Sequence, residues 1–212
     1  MMFELAERLN RLEKIIDSQN LKSINSDQIF IMNGINWQVY EGLLDSLQDS
    51  SEFRVKYLAE TLEIMFPSRR HEAEKKRIAL LLETYFMEMD IDFYPLGSTT
   101  FRKQSVARGI EPDECYCINS EKSIPDIAIE VVITSGGINS LEIYQGLEVP
   151  EVWFWQNSQF SLYSLQEDGY DQILRSQFLP ELDIERLAIY VLSSAKPKDL
   201  LREFSQILKD KS

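Results

Sequence analysis

The sequence predicts an α/β domain with a mixed β-sheet. Three observations lead there. Segments of helical period and segments that alternate apolar with polar follow one another along the chain, in the order helix, antiparallel strands, helix and final strands. Gly, Pro, Asn and Ser clusters punctuate them. With 44% hydrophobic and 11% aromatic residues over 212 positions, the chain can bury a sizeable core and has none of the composition of a disordered segment.

The elements follow in order. Residues 3–18 place Phe3, Leu5, Leu9, Leu12, Ile15 and Ile16 on one stripe, the pattern of an amphipathic helix. We read 1–24 as a helical arm and 25–212 as one domain. A short strand is expected at 29–32 and a helix at 36–47, with Trp37, Tyr40, Leu43, Leu44 and Leu47 inward. Residues 53–66 read as a β-hairpin. Phe53, Val55 and Tyr57 alternate with Arg54 and Lys56, and the turn lies near Ala59-Glu60-Thr61. Ser68 is placed to cap a long helix running to about Met89. Strands are expected at 92–96 and 99–102, and the polar, basic stretch 103–109 reads as a mobile loop. Two strands follow at 111–118 and 126–133. Next come a helix at 139–147, strands at 151–155 and 159–165, and closing helices at 182–191 and 198–208.

Composition narrows the function. The net charge of −13 works against binding that rests on neutralising phosphates, so tight DNA binding is disfavoured unless a local basic patch provides it. No apolar run approaches a membrane span, and the opening residues lack the order of a signal peptide, so a cytoplasmic chain without membrane contact is expected. Cys115 and Cys117 share one strand face and are badly placed to bridge, so both are expected as buried thiols. The one histidine, His71, sits beside Arg70 at a helix start and reads as a surface residue. Tyr144, Trp153, Phe154 and Trp155 read as core and edge packing.

Glu130 stands out. It interrupts Ile127-Ala128-Ile129-Glu130-Val131-Val132-Ile133, and a carboxylate inside such a strand is costly unless it is paired or binds a metal. If 111–118 and 126–133 form a hairpin about Glu121-Lys122, Asp113 falls opposite Glu130 on the same face. Two like charges so placed call for a cation between them. Residues 123–174 contain no Lys or Arg, so a protein cation must come from elsewhere in the chain. In this register Asp126 falls about 13 Å from Glu130, at roughly 3.3 Å per residue, and reads as strand entry.

Glu111-Pro112-Asp113, Pro125 to Val132, Thr134-Ser135-Gly136-Gly137, Tyr144 and Val149-Pro150-Glu151-Val152-Trp153 together resemble the Uma-two family, a restriction-endonuclease branch of the PD-(D/E)XK nuclease superfamily. The likeness spans about 36–165. It implies a restriction-endonuclease-like core, a mixed sheet flanked by helices, and a Mg²⁺-dependent (or Mn²⁺-dependent) DNA endonuclease. It implies a metal held by Asp113, Glu130 and the carbonyl of Val131, with Glu72 as an acidic residue nearby. It also implies a lysine at the start of the helix after the second strand, where this chain has Ser140. Serine cannot offset charge developing on a phosphate, so weak or absent turnover with metal binding retained is the expectation. Ser140→Lys is expected to raise cleavage if the charge belongs there. Lys75, Lys76 and Lys103 are the candidates to supply it from elsewhere. The alternative is a non-catalytic nuclease-fold protein kept for binding or assembly. A homodimer is expected, through the N-terminal helix or the 151–155 region.

Overall fold

The computed structural model describes residues 25–47, 53–97 and 99–210. The arm expected over 1–24 lies outside the described residues. The elements are β1 Gln28–Asn33, α1 Trp37–Leu47, β2 Arg54–Leu58, β3 Thr61–Phe66, α2 Arg69–Glu88, β4 Phe93–Pro95, β5 Phe101–Lys103 and β6 Arg108–Ile110. They continue with β7 Glu114–Ile118, β8 Ile127–Val132, α3 Ser140–Leu147, β9 Glu151–Gln156, β10 Gln159–Gln166, β11 Gly169–Ile173, α4 Ile184–Leu192 and α5 Pro197–Lys209.

The strands form two sheets. One is six-stranded, in the order β11-β10-β9-β8-β7-β4, and mixed: β8 and β9 run parallel, joined through α3, and the other pairs are antiparallel. The other is five-stranded and antiparallel, in the order β1-β3-β2-β6-β5. The predicted class and its mixed, helix-flanked sheet hold; the second sheet is the addition. Periodicity marks strands but not which strands pair, so sheet number was not legible.

Strand alternation sorts the side chains into layers. Ile127, Ile129 and Val131 of β8 point at α2, α4 and α5, where Ile78, Phe86, Leu187 and Phe204 are buried among them. Ala128 points the other way, into a cluster with Cys115, Val152 and the α3 residues Ile143 and Tyr144. Glu130 shares that second direction. On the five-stranded sheet, Val55 and Tyr57 of β2 pack against Val39, Tyr40 and Leu43 of α1. Arg54 and Lys56 therefore point away from α1, into the space between the two sheets.

Local chemistry fixes the ends. The β2–β3 turn places Ala59 and Glu60 at positive φ, as a two-residue hairpin turn requires. Ser68 caps α2, its hydroxyl accepting from the His71 N–H at 3.1 Å.

One expectation changes, and one strand is added. Residues 103–109 are not a loose loop: Gln104–Val106 form a 3₁₀ turn, and Arg108–Ile110 form β6, which pairs with both β2 and β5. Backbone pairing, invisible in a polar stretch, holds it. β11 was unforeseen because Asp171 and Gln172 are exposed and give no apolar alternation. The 151–155 region is β9, an interior strand between β8 and β10. Among the described residues no helix is long and apolar enough to cross a membrane.

Candidate active site

The expected hairpin register is present: Glu114 pairs with Ile129, Cys115 with Ala128 and Tyr116 with Ile127. Asp113 stands at the entry of β7. Its N–H donates to the Ile129 carbonyl at 3.2 Å, and its Oδ2 accepts from the Val131 N–H at 2.8 Å. Ile129 and Val131 thus both turn their peptide groups toward the β7 side.

The other oxygen of Asp113 carries the first surprise. His71 Nε2 lies 2.8 Å from Asp113 Oδ1, and His71 Nδ1 lies 3.1 Å from Asp27 Oδ2. His71 is fully buried, which corrects its expected surface role. It sits in the first turn of α2, which the cap at Ser68 and the bond from the Ser68 N–H to Asp27 Oδ1 (2.8 Å) drive into the interior. Burial opposes charge on the imidazole, but Asp113 and Asp27 outweigh it, and its pKa is pushed up to about 10. His71 is therefore an imidazolium that donates from both nitrogens. Burial likewise opposes the Asp113 anion, yet His71, the Val131 N–H and Lys56 hold its carboxyl below the ordinary range.

Glu130 carries the second. Lys56 Nζ donates to Glu130 Oε2 at 2.9 Å and to Ser140 Oγ at 2.9 Å. The Tyr144 hydroxyl donates to Glu130 Oε1 at 2.5 Å. Burial pushes the Glu130 carboxyl up; Lys56 pulls it back, and neighbouring Asp113 pushes it up again. Burial also opposes the Lys56 ammonium, but Glu130 and Glu63 more than offset it and its pKa is raised. Strand register aims Lys56 here: it pairs with Glu63 on one side and Ile110 on the other, facing the six-stranded sheet.

The remaining candidates distribute as follows. Ser140, at the N-terminus of α3, is buried and touches Lys56. Glu72 is 39% exposed and pairs with Lys75 at 3.0 Å and Arg54 at 3.5 Å. Arg54 links it to the carboxylate pair, its Nε lying 3.9 Å from Asp113 Oδ1. The three expected lysines are engaged elsewhere: Lys75 with Glu72, Lys76 with Glu114 and Lys103 with Glu148. Asp126 closes its own hairpin, accepting from the Ile118 N–H at 2.7 Å and from Lys122 at 2.5 Å. Cys115 and Cys117 are free and buried, as expected.

The sequence pattern marks Tyr144 only as packing and Lys56 only as the polar side of a hairpin strand. One signal pointed toward Lys56: with no cation across 123–174, Glu130 needed one from a distant segment.

A cleft of about 340 Å³ opens between the sheets, lined by Lys56, Glu63, Glu130, Val131 and Ser140 and by the 134–139 loop. That loop is pinned. The Ile138 N–H donates to Glu63 Oε2 at 2.6 Å, and Thr134 Oγ1 accepts from the Asp27 N–H at 3.0 Å. Gly137 lies so close to the Glu63 carboxylate that a Cβ there would collide with it.

Among the described residues no group of three or more His, Cys, Asp and Glu could cage a metal. Two carboxylates and a carbonyl are nonetheless the hard-oxygen set that Mg²⁺ accepts while keeping its waters. Each carboxylate oxygen has more than one lone pair. The bonds described take one at each oxygen, apart from the distant Arg54 contact, so acceptor capacity remains. In donor type, Asp113, Glu130 and the Val131 carbonyl match what a hard divalent ion takes.

A comparison with the curated proteins gives no match. The family model described as "Uma2: Putative restriction endonuclease" matches residues 37–191, from the start of α1 to within α4. The chain therefore belongs to the Uma2 family of restriction-endonuclease-like proteins.

Proposed function

We propose that this protein is a divalent-metal-dependent endonuclease that hydrolyses phosphodiester bonds in DNA. The observation that carries the reading is the juxtaposition, on adjacent strands, of two buried carboxylates, Asp113 and Glu130, with Glu130 opening onto the cleft. Mg²⁺ or Mn²⁺, held by Asp113, Glu130 and the Val131 carbonyl, would supply an activated water and charge neutralisation at the phosphate. Water adds to phosphorus, one P–O bond breaks, and the leaving oxygen takes up a proton. Asp113 is suited to be the constant anion of the site, since His71 and the Val131 N–H keep it ionised and fixed. Glu130 faces the cleft and is the carboxylate a substrate phosphate would meet. With a net charge of −13, the chain as a whole is repelled by DNA most strongly at low ionic strength, so moderate salt, which screens that repulsion, suits the encounter better.

The test is cleavage of supercoiled plasmid at moderate salt with Mg²⁺ or Mn²⁺, comparing the natural sequence with Asp113→Asn and Glu130→Gln. We expect metal-dependent nicking that falls by at least about 10²-fold in each variant, the scale of losing one preorganised group. Intact plasmid with either metal, or cutting that survives both substitutions, would overturn the reading.

A second reading has one observation behind it. Lys56 and His71 already balance Glu130 and Asp113 without a metal, which suits a nuclease fold retained for binding. Intact plasmid together with no Mn²⁺ uptake favours it.

A further inference from the structure

We propose that Lys56 is the cationic group this site uses against the scissile phosphate, delivered from β2 of the other sheet into the place beside Ser140; this rests on the endonuclease reading above.

Four observations converge. Lys56 Nζ sits 2.9 Å from Glu130 Oε2 and 2.9 Å from Ser140 Oγ, bridging β8 and the start of α3. It lines the cleft together with Glu130 and Ser140, so a phosphate entering the cleft meets the ammonium and the carboxylate side by side. Its side chain is only 12% exposed. In such a site a charge acts on a developing phosphorane far more strongly than it would in water. Its direction is fixed by register on both flanks of β2, while its four-carbon stem leaves the ammonium free to shift from Glu130 toward a ligand.

Ser140 completes the arrangement. A lysine at 140 would bring a second ammonium against Lys56, whereas a serine hydroxyl accepts from it and leaves it room. Ser140 is thus the counterpart of Lys56 rather than a gap in the site. The expectation that Ser140→Lys alone raises cleavage therefore changes: the added charge enters a place already taken, and no gain should follow. Lysines 75, 76 and 103 pair with other acids and do not compete for the role.

The experiment uses the full chain with Lys56→Met, Lys56→Gln and the exchange Lys56→Met with Ser140→Lys. Because removing one partner of a buried ion pair can unfold a domain, Lys56→Gln is included. Its amide can still donate to Glu130 but carries no charge. Plasmid cleavage is measured across DNA concentrations, and Mn²⁺ binding is measured by calorimetry on the same samples. We expect kcat to fall about 10² to 10³-fold in the folded single variants, with KM moving much less, and at least tenfold of that loss regained in the exchange. Mn²⁺ binding should stay as tight or become tighter in Lys56→Gln, because a positive charge has left the site.

A Lys56→Gln protein that folds and cuts at the natural rate overturns the proposal, and the endonuclease reading survives it if Asp113→Asn and Glu130→Gln still abolish cutting. Weaker Mn²⁺ binding in Lys56→Gln also overturns it, since Lys56 would then serve only to hold Glu130 in place. Intact plasmid with the natural sequence removes the endonuclease reading itself.

Discussion

Asp113 and Glu130 are buried to nearly the same degree, 2% and 3% exposed, yet their carboxyl groups are displaced in opposite directions, Asp113 down and Glu130 up. The difference lies in their partners. Asp113 is gripped by an imidazolium and a backbone N–H, and the imidazolium is braced in turn by Asp27, whose own carboxylate is tied to the α2 cap. Glu130 is held by a lysine on a long stem and by a tyrosine hydroxyl. One half of the site is a rigid hydrogen-bond chain locked into secondary structure. The other is a pair whose cation can move, facing an open cleft. Burial alone would have raised both carboxyls; the fixed partners are what bring Asp113 below the ordinary range.

The rigid half should be the more costly to break. His71→Ala removes the shared partner of two buried carboxylates, Asp27 and Asp113, and leaves a cavity at a fully buried position. A loss of about 3–5 kcal/mol in unfolding free energy is expected by denaturant titration, the range for stripping the partner from a buried charge. A loss below that of the tyrosine variant described below would reverse the ranking of the two halves.

A pH series sharpens the same point. The His71 pKa is raised in the folded chain, to about 10 against 6.5 unfolded. Its contribution to stability is therefore complete below pH 6.5 and is lost as pH rises through 10. Glu111 is pushed up by burial to about 7, with Arg54 opposing and Asp113 adding to it, so its own titration is largely over above that pH. Between about pH 7.5 and 10 the unfolding free energy of the natural sequence should fall by a few kcal/mol, and His71→Ala should show a clearly flatter dependence. Parallel curves for the two proteins across that window would mean His71 is not held charged.

The hairpin that carries the two acids was legible because its information is local. Asp113 and Glu130 are 17 residues apart, and the loop between their strands sets the register. Their partners were not legible. Lys56 lies 74 residues before Glu130. Its strand, with Phe53, Val55 and Tyr57 on one side and Arg54 and Lys56 on the other, looks half-exposed. In the fold both sides of β2 are covered, one by α1 and the other by the space between the sheets. Arg54 is 3% exposed and its cross-strand neighbourhood holds Glu63 opposite Lys56, so the polar side of this strand is an interior charged face. Periodicity reports that a strand has two unlike sides; it does not report that the polar one is buried. The burial of His71 is hidden in the sequence for the same reason: it follows from where the α2 cap docks, against Asp27, 44 residues away.

The smallest expected effect belongs to the movable half. Tyr144→Phe deletes only the hydroxyl that donates to Glu130 Oε1 and keeps the ring that packs with Ile143 and Cys115 on α3 and β7. No cavity forms, so the change isolates one hydrogen bond to a charged acceptor, with an expected loss of about 1.5–3 kcal/mol. Losing that donor also raises the Glu130 carboxyl further, because the hydroxyl is one of the groups that pull it back against burial. Lys56 remains at Glu130 Oε2, so the site keeps its cation and cleavage should fall less than in Lys56→Gln. The check is to measure unfolding free energy and cleavage rate on the same preparation. Stability close to the natural sequence would mean Glu130 draws its support from Lys56 alone, whereas a rate loss matching that of Lys56→Gln would mean the tyrosine sets the position of Glu130 and the two halves of the site are equally rigid.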